Sequence, residues 1–110
     1  MQRSLTYSKN IEITIIITPH AKYRMKIRGC DPKYVRDYFQ TVHEAHLIKC
    51  KGGYMIYIPS KGWLIGVLEG SKFIVKTFLP FVTNGKKTPP GVSVSIRGVR
   101  FSTRKSWLLQ

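Results

Sequence analysis

From residue 45 onward the chain is written as short apolar runs cut by turns, and this limits the possible folds more than any other feature. The runs are Ala45 to Cys50, Tyr54 to Ile58, Trp63 to Leu68 and Phe73 to Leu79. Lys51-Gly52-Gly53, Pro59-Ser60-Lys61-Gly62 and Glu69-Gly70-Ser71-Lys72 separate them. Each separator carries the residues that tight turns need. The pattern predicts an antiparallel four-stranded meander. Upstream, Ile11 to Ile17 (IEITIII) is rich in isoleucine and threonine and reads as a further strand.

Two helices are expected between that strand and the meander. Thr18 suits an N-cap, Pro19 the first helical position and Gly29 the residue just past the end. At 100° per residue, His20, Arg24 and Arg28 fall at about 0°, 40° and 80° on one face. Tyr23 and Ile27 flank them on one side, Ala21 and Met25 on the other. Lys22 and Lys26 occupy the opposite face, which marks it as the solvent side. One histidine and two arginines are thus expected on the packing face. Buried cations are costly unless paired, so a polar cleft where these three side chains meet an anion is expected. Asp31 then caps a second helix with Pro32 at its first position. Its apolar stripe, Tyr34, Val35, Tyr38 and Phe39, is expected in the core.

The order is therefore β-α-α-β-β-β-β. It predicts an α+β fold: an N-terminal strand, two short helices on one face of the sheet and a curved antiparallel four-stranded meander, forming a domain over residues 1–80. Residues 81–110 read as a basic C-terminal extension, with Lys86, Lys87, Arg97, Arg100, Arg104 and Lys105 and no acid. Val92, Val94 and Ile96 alternate with Ser93 and Ser95 and suggest one added strand, with Arg97 to Phe101 a second. Trp107-Leu108-Leu109 is a candidate for self-association into a homo-oligomer.

Charge narrows the partners. The 110 residues include 19 Lys+Arg against 5 Asp+Glu, a net charge of +14. Such an imbalance in a small chain argues for a polyanionic partner, most simply nucleic acid. The acids Glu12, Asp31, Asp37, Glu44 and Glu69 are scattered, whereas two-metal hydrolytic sites need clustered carboxylates. The order His43-x2-His46-x3-Cys50 matches no strong zinc pattern, and a strand would turn the two histidines to opposite faces. No metal or cofactor is expected. Cys30 and Cys50 form no CxxC pair, so a reduced, cytoplasmic protein is expected. The apolar stretch Ile11 to Thr18 is far too short to span a bilayer, and no membrane role is expected.

The pattern H-A-x-x-R-M-x-x-R-G, carried by His20, Ala21, Arg24, Met25, Arg28 and Gly29 and followed by a short helix and a β-meander, resembles a family of small prokaryotic domains. That family is grouped with the RelE/barnase-like superfamily of ribonucleases and toxins. Ile15 to His20 (IIITPH) resembles the segment that leads into the family's helix. Thr77-Phe78-Leu79-Pro80 resembles its last strand, with Leu79 where a tyrosine is usual. The resemblance covers about residues 11 to 80. It implies a domain that cleaves or binds RNA and, for a toxin, an acidic antitoxin or immunity protein as partner.

Metal-independent RNA cleavage uses the 2′-hydroxyl as an internal nucleophile and needs a proton-transfer group and cations for the charged phosphorane. Histidine is the side chain that titrates near neutrality, which makes His20 the candidate for proton transfer. Arg24 and Arg28 would hold phosphate through forked hydrogen bonds. The resemblance points to Thr77 as the residue that binds phosphate or orients His20. Lys76 is expected on the other face of that strand. Lys22, Lys26, Lys86, Lys87, Arg97, Arg100, Arg104 and Lys105 are the candidate nucleic-acid contacts. Two readings follow: a metal-independent ribonuclease, in some settings a toxin, or a non-catalytic nucleic-acid-binding protein on the same scaffold.

Overall fold

A computed structural model of the chain describes residues 11–80 and 91–103. Strand β1 (Ile11–Ile17) leads into helices α1 (Pro19–Ile27) and α2 (Pro32–Thr41). Strands β2 (Glu44–Cys50), β3 (Gly53–Ile58), β4 (Gly62–Glu69), β5 (Lys72–Pro80) and β6 (Val92–Phe101) follow. The strands close into a six-stranded barrel in the order β1-β5-β4-β3-β2-β6, with β6 bonded back to β1.

Closure corrects the expected fold class. An open α+β sheet made of a four-stranded meander with helices on one face would leave β1 and β2 as its edges. Both would then present unpaired backbone groups. β6 pairs antiparallel with β2 and parallel with β1, so neither edge is left. Residues 92–101 thus belong to the barrel wall and are not an appendage to it. The two short strands expected there are one continuous strand. A register shift opposite Ile13 and Thr14 leaves Arg97 as an extra residue. Such a bulge bends a strand and strengthens its twist, as a small barrel requires.

β1 lies between β5 and β6, parallel to both. This central place explains its composition: Ile13, Ile15, Ile16 and Ile17 are all buried. Parallel strands covered on both faces read as near-continuous apolar runs. All six strands feed one core, through residues such as Ile15, Leu47, Ile56, Leu64, Phe73 and Val94. The helices close that core with Ala21 and Met25 from α1 and Val35 and Phe39 from α2.

α1 stitches itself to β5. The β1–β5 pairing ends at Ile17 and Val75, so β5 has no strand neighbour on that side beyond this point. α1 packs there. Thr18, fully buried, accepts from Ala21 N at 3.2 Å and donates its hydroxyl to Val75 O at 2.7 Å. One side chain caps the helix and satisfies a strand carbonyl. Thr18→Val, which keeps the shape, should therefore cost about 2–3 kcal/mol, from a lost cap plus a buried unpaired carbonyl. Urea denaturation checks this, and Thr18→Ser should recover most of the loss.

The far end of α1 is closed by Gly29 at φ +81°, with Cys30 N bonded to Met25 O at 2.9 Å and Gly29 N to Lys26 O at 3.4 Å. This is a Schellman-type cap, which needs the left-handed residue that glycine supplies. Asp31 then caps α2 by accepting from Lys33 N at 2.9 Å. Between the caps, burial pushes the Cys30 thiol up from the usual 9.0 to about 11, against the opposing charge of Lys61 and with a smaller push from Asp31. The folded thiol thus keeps its proton to higher pH than the unfolded one. Its contribution is intact below pH 9.0 and is lost as pH rises toward about 11. Urea midpoints should fall across that window, and Cys30→Ala should flatten the fall.

Candidate nucleic-acid interface

The packing face of α1 differs from the expected one. Ala21 and Met25 are its buried residues, which centres the packing face near 120° on the same helical wheel. Arg28 and Arg24, about 40° and 80° away, are half-buried shoulders. His20, Lys22, Tyr23, Lys26 and Ile27 are exposed, with Tyr23 and Ile27 at 60% and 57%. The expected cleft with His20, Arg24 and Arg28 at its centre is thus not how the helix packs. His20 faces outward, Arg24 sits on the shoulder with its Nε buried, and the last member of the row, Arg28, reaches inward.

That last member is occupied. Arg28 Nη1 donates to Phe78 O on β5, fastening the helix C-terminus as Thr18 fastens its start. Arg24, one turn earlier, has a buried Nε with no hydrogen-bond partner among the described residues. Thr77 is half-buried on β5, adjacent to the carbonyl that Arg28 holds. Strict alternation between Lys76 and Thr77 does not hold. The β4–β5 register shifts at Ile65 and Gly66, which pair with Thr77 and Val75 and leave Lys76 as the extra residue of a bulge.

Lys22 does not stand alone. Its Nζ lies 5.3 Å from the centre of the Phe101 ring, and the Arg36 guanidinium of α2 lies 5.5 Å from the same ring. Phe101, at the end of β6, gathers two cations from two helices by cation–π attraction. Nothing in the spacing of the sequence pointed to this cluster, because it depends on where β6 ends. Two of the acids, Glu12 and Asp31, are engaged elsewhere, while Asp37 lies beside the cluster's own Arg36. Glu12 pairs with Arg97 at 2.8 Å, Asp37 lies 4.0 Å from Arg36 Nε, and Asp31 caps α2. Arg97 is thus an ion-pair partner on the outer wall, while Arg100 is exposed on β6. Lys86, Lys87, Arg104, Lys105 and Trp107-Leu108-Leu109 lie outside the described residues.

A groove of about 310 Å³ lies between α2 and strands β2 and β3, and contains none of His20, Arg24, Arg28 or Thr77. His46, Tyr38 and Tyr57 line it. The sequence held the signal for this meeting. The Lys51-Gly52 turn sets Cys50 opposite Gly53 and Leu47 opposite Ile56, and His46 and Tyr57 are the next residues beyond that last pair, both on the groove.

No helix among the described residues is long and apolar enough to cross a membrane. No family model matches the chain, and neither a curated protein nor a solved structure shows significant similarity to it. The functional reading rests on this chain's own geometry.

Proposed function

We propose that this barrel is a non-catalytic binder of single-stranded nucleic acid, with the outward side of α1 as its principal contact. One observation carries the reading. α1 is anchored by Ala21, Met25, Thr18 and Arg28, while the side it presents outward holds Lys22, Lys26 and His20 around Tyr23 and Ile27, without one acid in the helix. Cations follow a phosphate backbone irrespective of sequence, and an exposed ring between them stacks a base. The guanidinium of half-buried Arg24 adds a further positive charge beside this side.

Ribonuclease activity is the second reading, favoured by His20 standing exposed one turn from Arg24, where a phosphate held by α1 would come within reach. The two readings separate in one experiment. Labelled single-stranded RNA is incubated in EDTA with the protein and with His20→Ala. The binding reading expects RNA that shifts on a gel and stays intact with both. Cleavage to 2′,3′-cyclic phosphate ends by the parent alone would establish a metal-independent ribonuclease with His20 in its chemistry.

A further inference from the structure

The α1 interface makes no use of the groove between α2, β2 and β3. We propose that this groove takes one unpaired nucleobase bearing an exocyclic amino group, cytosine above the others. The proposal rests on the single-stranded nucleic-acid reading above and names the base that site would select.

The groove has the make-up of a base site. Its floor is apolar, from the buried Phe39 and Ile48, and Tyr38 and Tyr57 bring aromatic rings to its walls. Along β2 the inward residues are Ala45 and Leu47, so Glu44, His46 and Ile48 share the outer face. Glu44 and His46 are exposed and form the polar rim. A volume of about 310 Å³ lies at the small end of the range that ligand sites use, about 300–1,000 Å³. Flat aromatic walls with a polar rim suit an unstacked base, which is held by its faces and read at its edge.

Glu44 decides which base. A carboxylate only accepts hydrogen bonds, so it pairs with an exocyclic amino group, and the small volume favours the pyrimidine that carries one, cytosine with its N4. Uracil presents an acceptor at the same ring position and meets the carboxylate as repulsion. In a chain of net charge +14, a carboxylate at a groove rim also keeps phosphate out, so the backbone must run outside. A cation waits on that side: Lys61 Nζ lies 5.1 Å above the Tyr34 ring, itself stacked 6.3 Å from Tyr38.

The test compares short oligocytidylate and oligouridylate of equal length at one salt concentration, by fluorescence anisotropy, with the parent and with Glu44→Ala. Glu44 is exposed, so its replacement leaves the fold in place. The parent should favour the cytidine oligomer about tenfold. Glu44→Ala should remove the preference from both sides, the cytidine oligomer losing its N4 contact and the uridine oligomer its repulsion, so that the two bind about equally. Equal affinities in the parent, or a preference that survives Glu44→Ala, would overturn the proposal. Failure of both oligomers to bind would instead sink the nucleic-acid reading. Free nucleosides then decide the groove, through the fluorescence of Trp63, whose ring packs 5.0 Å from Tyr57, in a Trp107→Phe background. A response to cytidine and not to uridine would support the base site, and equal or absent responses would overturn it.

Discussion

Gly66→Ala should abolish the folded barrel at ordinary temperature. Gly66 sits in the middle of β4, at the register shift against β5. A methyl group added there would lie 1.9 Å from Ile74 O and 2.9 Å from Val75 Cα. Both are backbone atoms, so no side-chain rotation relieves the clash. The strands would have to part where Phe73 and Val75 enter the core. Overpacking usually costs about 1–3 kcal/mol when side chains can shift. Against fixed backbone the cost should exceed about 4 kcal/mol, close to the whole stability of a small domain at the lower end of the roughly 5–15 kcal/mol range. Circular dichroism and thermal melting of the purified variant check it. Gly98→Ala is the control: a methyl there meets nothing within 4 Å, and its melting should stay close to that of the parent.

The largest effect on binding is expected from the triple variant Lys22→Gln, Arg24→Gln, Lys26→Gln. Lys22 and Lys26 are exposed, and glutamine keeps much of the Arg24 stem on the shoulder of the packing face, so the fold should survive. Each phosphate contact on a single strand steepens the dependence of log K on log salt by about 0.7. Three lost contacts should therefore flatten the slope by about 2 and weaken binding roughly 100-fold near 0.1 M salt. Anisotropy titrations at several salt concentrations give both quantities. An unchanged slope would place the phosphate contacts elsewhere on the chain.

Local structure was legible and long-range pairing was not. The limits of α1 followed from Thr18, Pro19 and Gly29, because caps are local chemistry. Its packing face was misread by about 80° because two apolar pairs compete, Tyr23 with Ile27 and Ala21 with Met25. What decides between them is the β5 edge, where Val75 O and Phe78 O need donors that Thr18 and Arg28 can supply only in the observed rotation. The strands β2 to β5 followed from their turns. Closure did not, since β6 finds β1 across a long stretch of sequence with no local rule to name its partner. Two signals pointed that way: the isoleucine-rich run of β1, which fits a strand covered on both faces, and Gly66 inside an apolar run, which marks close backbone approach. In the candidate site, the cationic character of α1 was visible. The Phe101 cluster and the groove were not, because the first needs the end of β6 and the second needs α2 laid beside β2.

The most direct measurement is a lysine footprint: acetylation rates of individual lysines, read by mass spectrometry, with and without a saturating single-stranded oligonucleotide. Lys22 and Lys26 on α1 are compared with Lys49 on β2 and Lys72 on β5, all four exposed. Binding through the outward side of α1 predicts slower acetylation of Lys22 and Lys26 and unchanged rates at Lys49 and Lys72. Protection of Lys49 or Lys72 with Lys22 and Lys26 left reactive would contradict it.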